Sequence, residues 1–266
     1  MVKAKLTFIL HKIDGYMLKR ILILLVAFFV TITVLAQPPR TAINLYKTGK
    51  KLIEQGMFYE AMQSFKKAIV FYKNYDSAYL EWSNLYIRMN KPDSAIYVWS
   101  RAVKLNPGMV AGYNALGKLY RDKKQNFDSA RVNFIHALKI DSTNKELFYN
   151  VAWCYNAVQD YDNAILYAVK ALELDVNYKP PYSELAHAIR FSKKFDEGLV
   201  LFKKYSAIST CELPLFYSGL LYMESGRYDD LQKTIDELTK KGFIPQADGL
   251  KKRWEAKKNL KPAQGS

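Results

Sequence analysis

Residues 151–175 read VAWCYNAVQDYDNAILYAVKALELD. Alanines at 152, 157, 164, 168 and 171 stand among Tyr155, Tyr161, Tyr167 and Trp153. Ala164, Ala168 and Ala171 are spaced so that they share one helical face. Two helices approach to roughly 8 Å only where small side chains stand at the crossing. Large aromatics beside them fill the space toward the next element. The stretch therefore predicts an antiparallel pair of short helices, with small residues setting the distance and bulky ones supplying buried area.

The same pattern recurs along the chain. Ala61, Ala95, Ala130 and Ala164 each have another alanine seven residues on, at Ala68, Ala102, Ala137 and Ala171. Between them stand Phe65, Trp99, Phe134 and Ala168. A second small residue precedes each pair at matching phase: Gly49, Ser83, Gly117 and Ala152. Tyr86, Tyr120 and Tyr155 follow the last three of these by three residues. A helix-pair repeat of about 34 residues with those small and aromatic positions resembles the tetratricopeptide repeat family.

Six repeats are expected, at 42–75, 76–109, 110–144, 145–178, 179–211 and 212–244, giving an all-α right-handed superhelical solenoid. The third carries one extra residue, assigned to its inter-helix turn around Lys124–Asn126. Gly198 and Leu231 replace the first alanine in the last two repeats, and Tyr205 and Leu238 the second. Gly219, Tyr222, Gly226 and Tyr228 restore the phase in the sixth. Residues 245–260 follow as a capping helix, with Ala247, Leu250 and Trp254 on one face and Lys251, Lys252, Arg253, Lys257 and Lys258 on others. Residues 37–41 are a linker and 261–266 a disordered tail.

Half of the 266 residues are apolar and 14% aromatic, which excludes a disordered chain. The net charge of +15 favours anionic partners or surfaces. Met17-Leu18-Lys19-Arg20 leads into the uncharged run ILILLVAFFVTITVLA at 21–36. Basic start, short apolar run and small residues at its end predict a secretory signal peptide over 1–36, with Met17 as an alternative start and Gln37 as first mature residue. Retained instead of cleaved, the segment would be a membrane anchor. Cleavage removes five basic residues and one acid, leaving +11. Export argues against a nucleic-acid partner and places the chain in the periplasm or envelope of a bacterium, an attribution that rests on resemblance.

No pattern for chemistry emerges. His136 falls on a second helix and His187 on a first helix, without a further His or Cys at metal-ligand spacing. No nucleophile elbow, metalloprotease or phosphate-loop motif occurs. Asp160/Asp162 and Asp229/Asp230 stand where they would cap second helices. No catalytic residue, cofactor or metal is expected, and the chain reads as a non-enzymatic binding scaffold. Cys154 and Cys211 lie too many repeats apart for a disulfide.

In the resembled family the first helices line a concave groove that binds protein or peptide segments. Carried over position by position, that resemblance implicates Asn84, Arg88, Asn114, Lys118, Arg121 and Asn156. In the later repeats it implicates Tyr149, Trp153, His187, Arg190, Phe191, Phe216 and Met223. Amides and cations would hydrogen-bond an extended peptide, and aromatics would receive its apolar side chains. The same residues could equally form a solvated face and inter-repeat packing. A subfamily that clamps chaperone C-termini is not matched, because Tyr46, Glu81, Leu80, Glu146 or Pro180 intrude at clamp positions. Two alternatives stand beside the groove: a basic protein docking on anionic lipid or cell-wall polymer through Lys251–Lys261, or an accessory subunit of an envelope assembly or enzyme. The sequence carries no signal of oligomeric state.

Overall fold

The computed structural model describes residues 19–25 and 37–259. Residues 19–25 are helical, and the rest of the expected leader lies outside the described residues, as does the tail at 261–266. No described helix is long and apolar enough to cross a membrane. The fold is all-α, a succession of helix pairs, and no strand occurs among the described residues. The chain divides into two compact units, one ending at Leu85 and one beginning at Tyr86.

In the first unit α1 (Arg40–Glu54) and α2 (Phe58–Phe71) pack as a hairpin. Gly49 is the contact point: a Cβ there would stand 2.5 Å from the Phe65 ring. Phe65, Ala61 and Ala68 are fully buried. The helix α3 (Asp76–Arg88) begins in this unit and runs across its end.

The second unit continues with α4 (Pro92–Leu105), α5 (Val110–Lys124), α6 (Phe127–Ile140) and α7 (Lys145–Ala157). Then follow α8 (Tyr161–Leu174), α9 (Pro180–Ser192), α10 (Phe195–Ser206), α11 (Leu213–Glu224), α12 (Tyr228–Lys240) and α13 (Ile244–Asn259). Each helix packs on the next, and α7, α9 and α11 also touch one another in turn. The small-residue logic repeats at Gly117, where a Cβ would stand 2.5 Å from Phe134. Where the alanine pattern fails, shape is still matched: Gly198 admits Ile189 at 2.6 Å from a would-be Cβ, and Tyr205 is buried between Tyr182 and Phe202.

Turns carry a signal that residue types alone do not. Gly56, Asn90, Gln125, Gln159, Lys193 and Gly226 all have φ between 50° and 77° and stand between paired helices. Two are glycine and Asn90 tolerates the conformation, so Gln125, Gln159 and Lys193 hold a left-handed backbone that costs them roughly 1 kcal/mol each. The extra residue of 110–144 enters where α5 runs into its turn: the closing bond from the Asn126 amide reaches back six residues to Tyr120, where the other pairs reach back five. It lengthens α5 to 15 residues against 13 in α7, because Arg121, Lys123 and Lys124 extend the last turn where the helix dipole favours cations. Asn126 then caps α6, accepting from the Ser129 amide. Asp160 caps α8 in the same way through Asn163. Asp230 does not cap α12; its carboxylate is held 3.1 Å from Arg227.

The helix α13 closes the array. Ala247 and Leu250 are buried against Leu231, Ile235 and Leu238. Trp254 stacks on Tyr228 with ring centroids 5.9 Å apart.

Candidate functional site

First helices expose one face to solvent because their other faces are consumed by the paired second helix and by neighbouring first helices. On α7 this places Trp153 and Asn156 opposite Ser183, Glu184 and His187 of α9, around a cavity of about 350 Å³. Asn156 is 7% exposed and donates from Nδ2 to the Glu184 backbone carbonyl at 3.0 Å and to its carboxylate at 2.8 Å. Its Oδ1 is buried without a partner, and so is Nδ1 of His187. Buried polar atoms are rarely left unpaired, because each costs roughly 1–3 kcal/mol. Burial pushes the Glu184 carboxyl above its ordinary value, against the opposing effects of the Asn156 bond, His187 and Arg121.

Aromatic rings rim the cavity. Phe191 is 55% exposed, stacks on Tyr161 at 5.9 Å and lies 4.5 Å from the His187 ring. Arg121, on α5, stands 5.3 Å from Trp153, donates to Asn150 Oδ1 at 2.6 Å and pairs with Asp122 at 2.6 Å. Tyr149 sits beside Tyr178, and burial together with the Glu184 charge raises its hydroxyl above the usual range.

The expected groove residues are thus not gathered at one place. Arg121, Tyr149, Trp153, Asn156, His187 and Phe191 gather in and around the α7–α9 cavity. Asn114 and Lys118 belong to α5, Lys118 exposed and Asn114 with its Oδ1 buried and unpartnered. Arg190 pairs with Glu224 at 2.6 Å, and Phe216 packs edge-on to Tyr217. Met223 is a correction to the groove set: at 6% exposure it packs with Leu231, Ile235 and Leu250 because α13 covers it. Arg88 is exposed, and Asn84, in the first unit, is exposed as well. Glu184, Ser183 and Asn150 were missed. They occupy the sixth or fifth positions of their repeats, and Glu184 shares its position with Glu81, whose charge alone could have flagged it.

Away from the cavity, His136 is exposed and stacks on Tyr113 at 5.3 Å. No group of described His, Cys, Asp or Glu is arranged to hold a metal ion. Cys154 is buried and Cys211 half-buried, both as free thiols.

The model of the tetratricopeptide repeat family matches residues 146–178, the segment that builds α7, α8 and their approach to α9. Residues 146–178 are thus a tetratricopeptide repeat. Solved structures agree with that fold. YrrB, described as a tetratricopeptide repeat protein with an unusual peptide-binding site, shares 21% identity and a TM-score of 0.52, over 71% of this chain and 97% of its own. PilW, described as a widely conserved type IV pilus biogenesis factor, shares 15% identity and a TM-score of 0.53, over 80% of this chain and 99% of its own. A tetratricopeptide repeat protein from Parabacteroides merdae shares 15% identity and a TM-score of 0.53, over 82% of this chain and 93% of its own. At these identities the likeness is one of fold. No curated protein sequence matches the chain.

Proposed function

We propose that this protein is a non-enzymatic, exported scaffold that holds an extended segment of an envelope polypeptide along its first helices. The observation that carries the reading is the α7–α9 cavity, where Asn156 Oδ1 and His187 Nδ1 stand unpartnered beside half-buried Trp153 and near exposed Phe191. An extended segment brings its own backbone donors and acceptors, and apolar side chains for Trp153 and Phe191. A stacked repeat array offers such a surface more readily than an enclosed pocket. That YrrB has a peptide-binding site and that PilW serves pilus biogenesis are consistent with this use of the fold. The division into six repeats over 42–244 is supported by six left-handed turn residues, one inside each pair of helices, and a seventh, Gly242, leads from α12 into α13 as cap. Export rests on the sequence of residues 17–36, and the periplasm is the compartment it implies.

Phe191→Ser combined with Lys118→Ala tests the reading. Both side chains are exposed, so the melting temperature should stay at the wild-type value while crosslinking to the envelope polypeptide weakens about tenfold. Retained crosslinking at unchanged stability would transfer the function elsewhere. The favoured alternative would then be docking on an anionic polymer or lipid through α13, where Lys251, Lys252, Arg253 and Lys258 are exposed. That docking would vanish at moderate salt, whereas an aromatic-anchored complex would persist.

A further inference from the structure

We propose that the α7–α9 cavity recognises a cationic side chain, lysine or arginine, of the bound polypeptide, with Glu184 as its counter-ion. The proposal rests on the groove reading and names what one part of the groove selects.

Glu184 is a half-buried carboxylate in the cavity wall, and among the described residues it belongs to no ion pair. Other described carboxylates also lack an ion pair; Glu184 differs in lining a cavity, where burial raises its pKa and its bonded neighbour is the Asn156 amide. Arg121, the cation whose charge reaches it, is engaged by Asp122 and Asn150. A comparison inside the chain shows why. Glu81 holds the same repeat position as Glu184 and pairs with Lys50 of the preceding first helix at 2.8 Å. At the position of Lys50, the helix preceding Glu184 carries Trp153. The intramolecular cation is thus replaced by an aromatic ring that lines the same cavity.

Carboxylate, aromatic face and unpartnered acceptor together suit one ligand class. A guanidinium or ammonium gains from the Glu184 charge, from stacking against Trp153, and from the Asn156 carbonyl side. An acidic or purely apolar side chain would leave the carboxylate desolvated and unpaired, which is costly. Burial already holds the Glu184 carboxyl above its usual value, and an incoming cation relieves that penalty.

The test uses the full chain with acetyl-arginine amide and acetyl-citrulline amide, which share shape but differ in charge. Expected is saturable perturbation of the Trp153 indole and His187 ring resonances by the arginine amide, and none by the citrulline amide at the same concentrations. Glu184→Gln should weaken the arginine response about tenfold. Equal responses to the two amides, or an arginine response unchanged in Glu184→Gln, would overturn the proposal. The wild-type comparison stands even where the variant fails to fold. If envelope crosslinking through Phe191 persists while the amides behave alike, the groove reading survives and only the cation selectivity falls.

Discussion

Gly117 lies so close to Phe134 that a single methyl group would stand 2.5 Å from the ring. Gly249, on α13, has nothing nearer than 4.0 Å. Gly117→Ala should therefore destabilise by about 1–3 kcal/mol through overpacking, although alanine is the better helix former. Gly249→Ala should leave stability unchanged or raise it slightly. Thermal melts of the two variants decide, and equal melting temperatures would refute the close-approach role. Glu184 gives a prediction of opposite character. Its folded-state pKa is raised by burial, so the native state holds the proton more tightly than the unfolded chain does. Stability then falls as pH rises through the window between the unfolded value and the raised folded one. Glu184→Gln should accordingly melt no lower than wild type at pH 7, and its advantage should disappear at pH 4. A variant less stable at pH 7 would mean that the carboxylate is a structural group and not one kept for a ligand. Cys154 belongs to the same scale: burial pushes its thiol up to about 12, so alkylation of the native protein should modify Cys211 alone. Two equivalents before denaturation would contradict the burial of α7.

At the scale of elements, small residues at period 34 were legible because helix crossings restrict side-chain volume, and volume is written in residue type. Turn conformation was less legible. Gln125, Gln159 and Lys193 adopt left-handed backbone although they are neither glycine nor asparagine, so their residue types gave no warning. Gly226→Ala should cost about 1–2 kcal/mol, since it imposes a Cβ on a φ of 77° in open space. Gln159→Gly should be neutral or stabilising by chemical denaturation. Loss of stability on both substitutions would show that side-chain contacts, and not backbone strain, govern these turns. Ion pairs between successive turns, Asp93–Lys124, Asp162–Lys194 and Asp196–Arg227, are exposed and add little individually. In the fourth repeat the position of Lys194 and Arg227 holds the acid Asp160, and Asp128 turns to Arg131 of its own helix.

At the scale of the molecule, the groove was legible only in outline. Family position identified which helices face a partner, and six of the thirteen expected residues gather around one cavity. It did not reveal Glu184, because a lone acid in a helix looks like any solvated charge until its missing counter-ion is seen. Nor did it separate Met223 from the groove, since only the docking of α13 buries it. The measurement that bears most directly on the scaffold reading is site-specific photocrosslinking in the protein's own cells. A benzophenone amino acid placed at Phe191, on the groove rim, is compared with one at Leu166, exposed on the second helix α8. A discrete crosslinked polypeptide from position 191 and none from 166 is the predicted result. Crosslinks of equal yield from both positions, or from 166 alone, would contradict a partner held along the first helices.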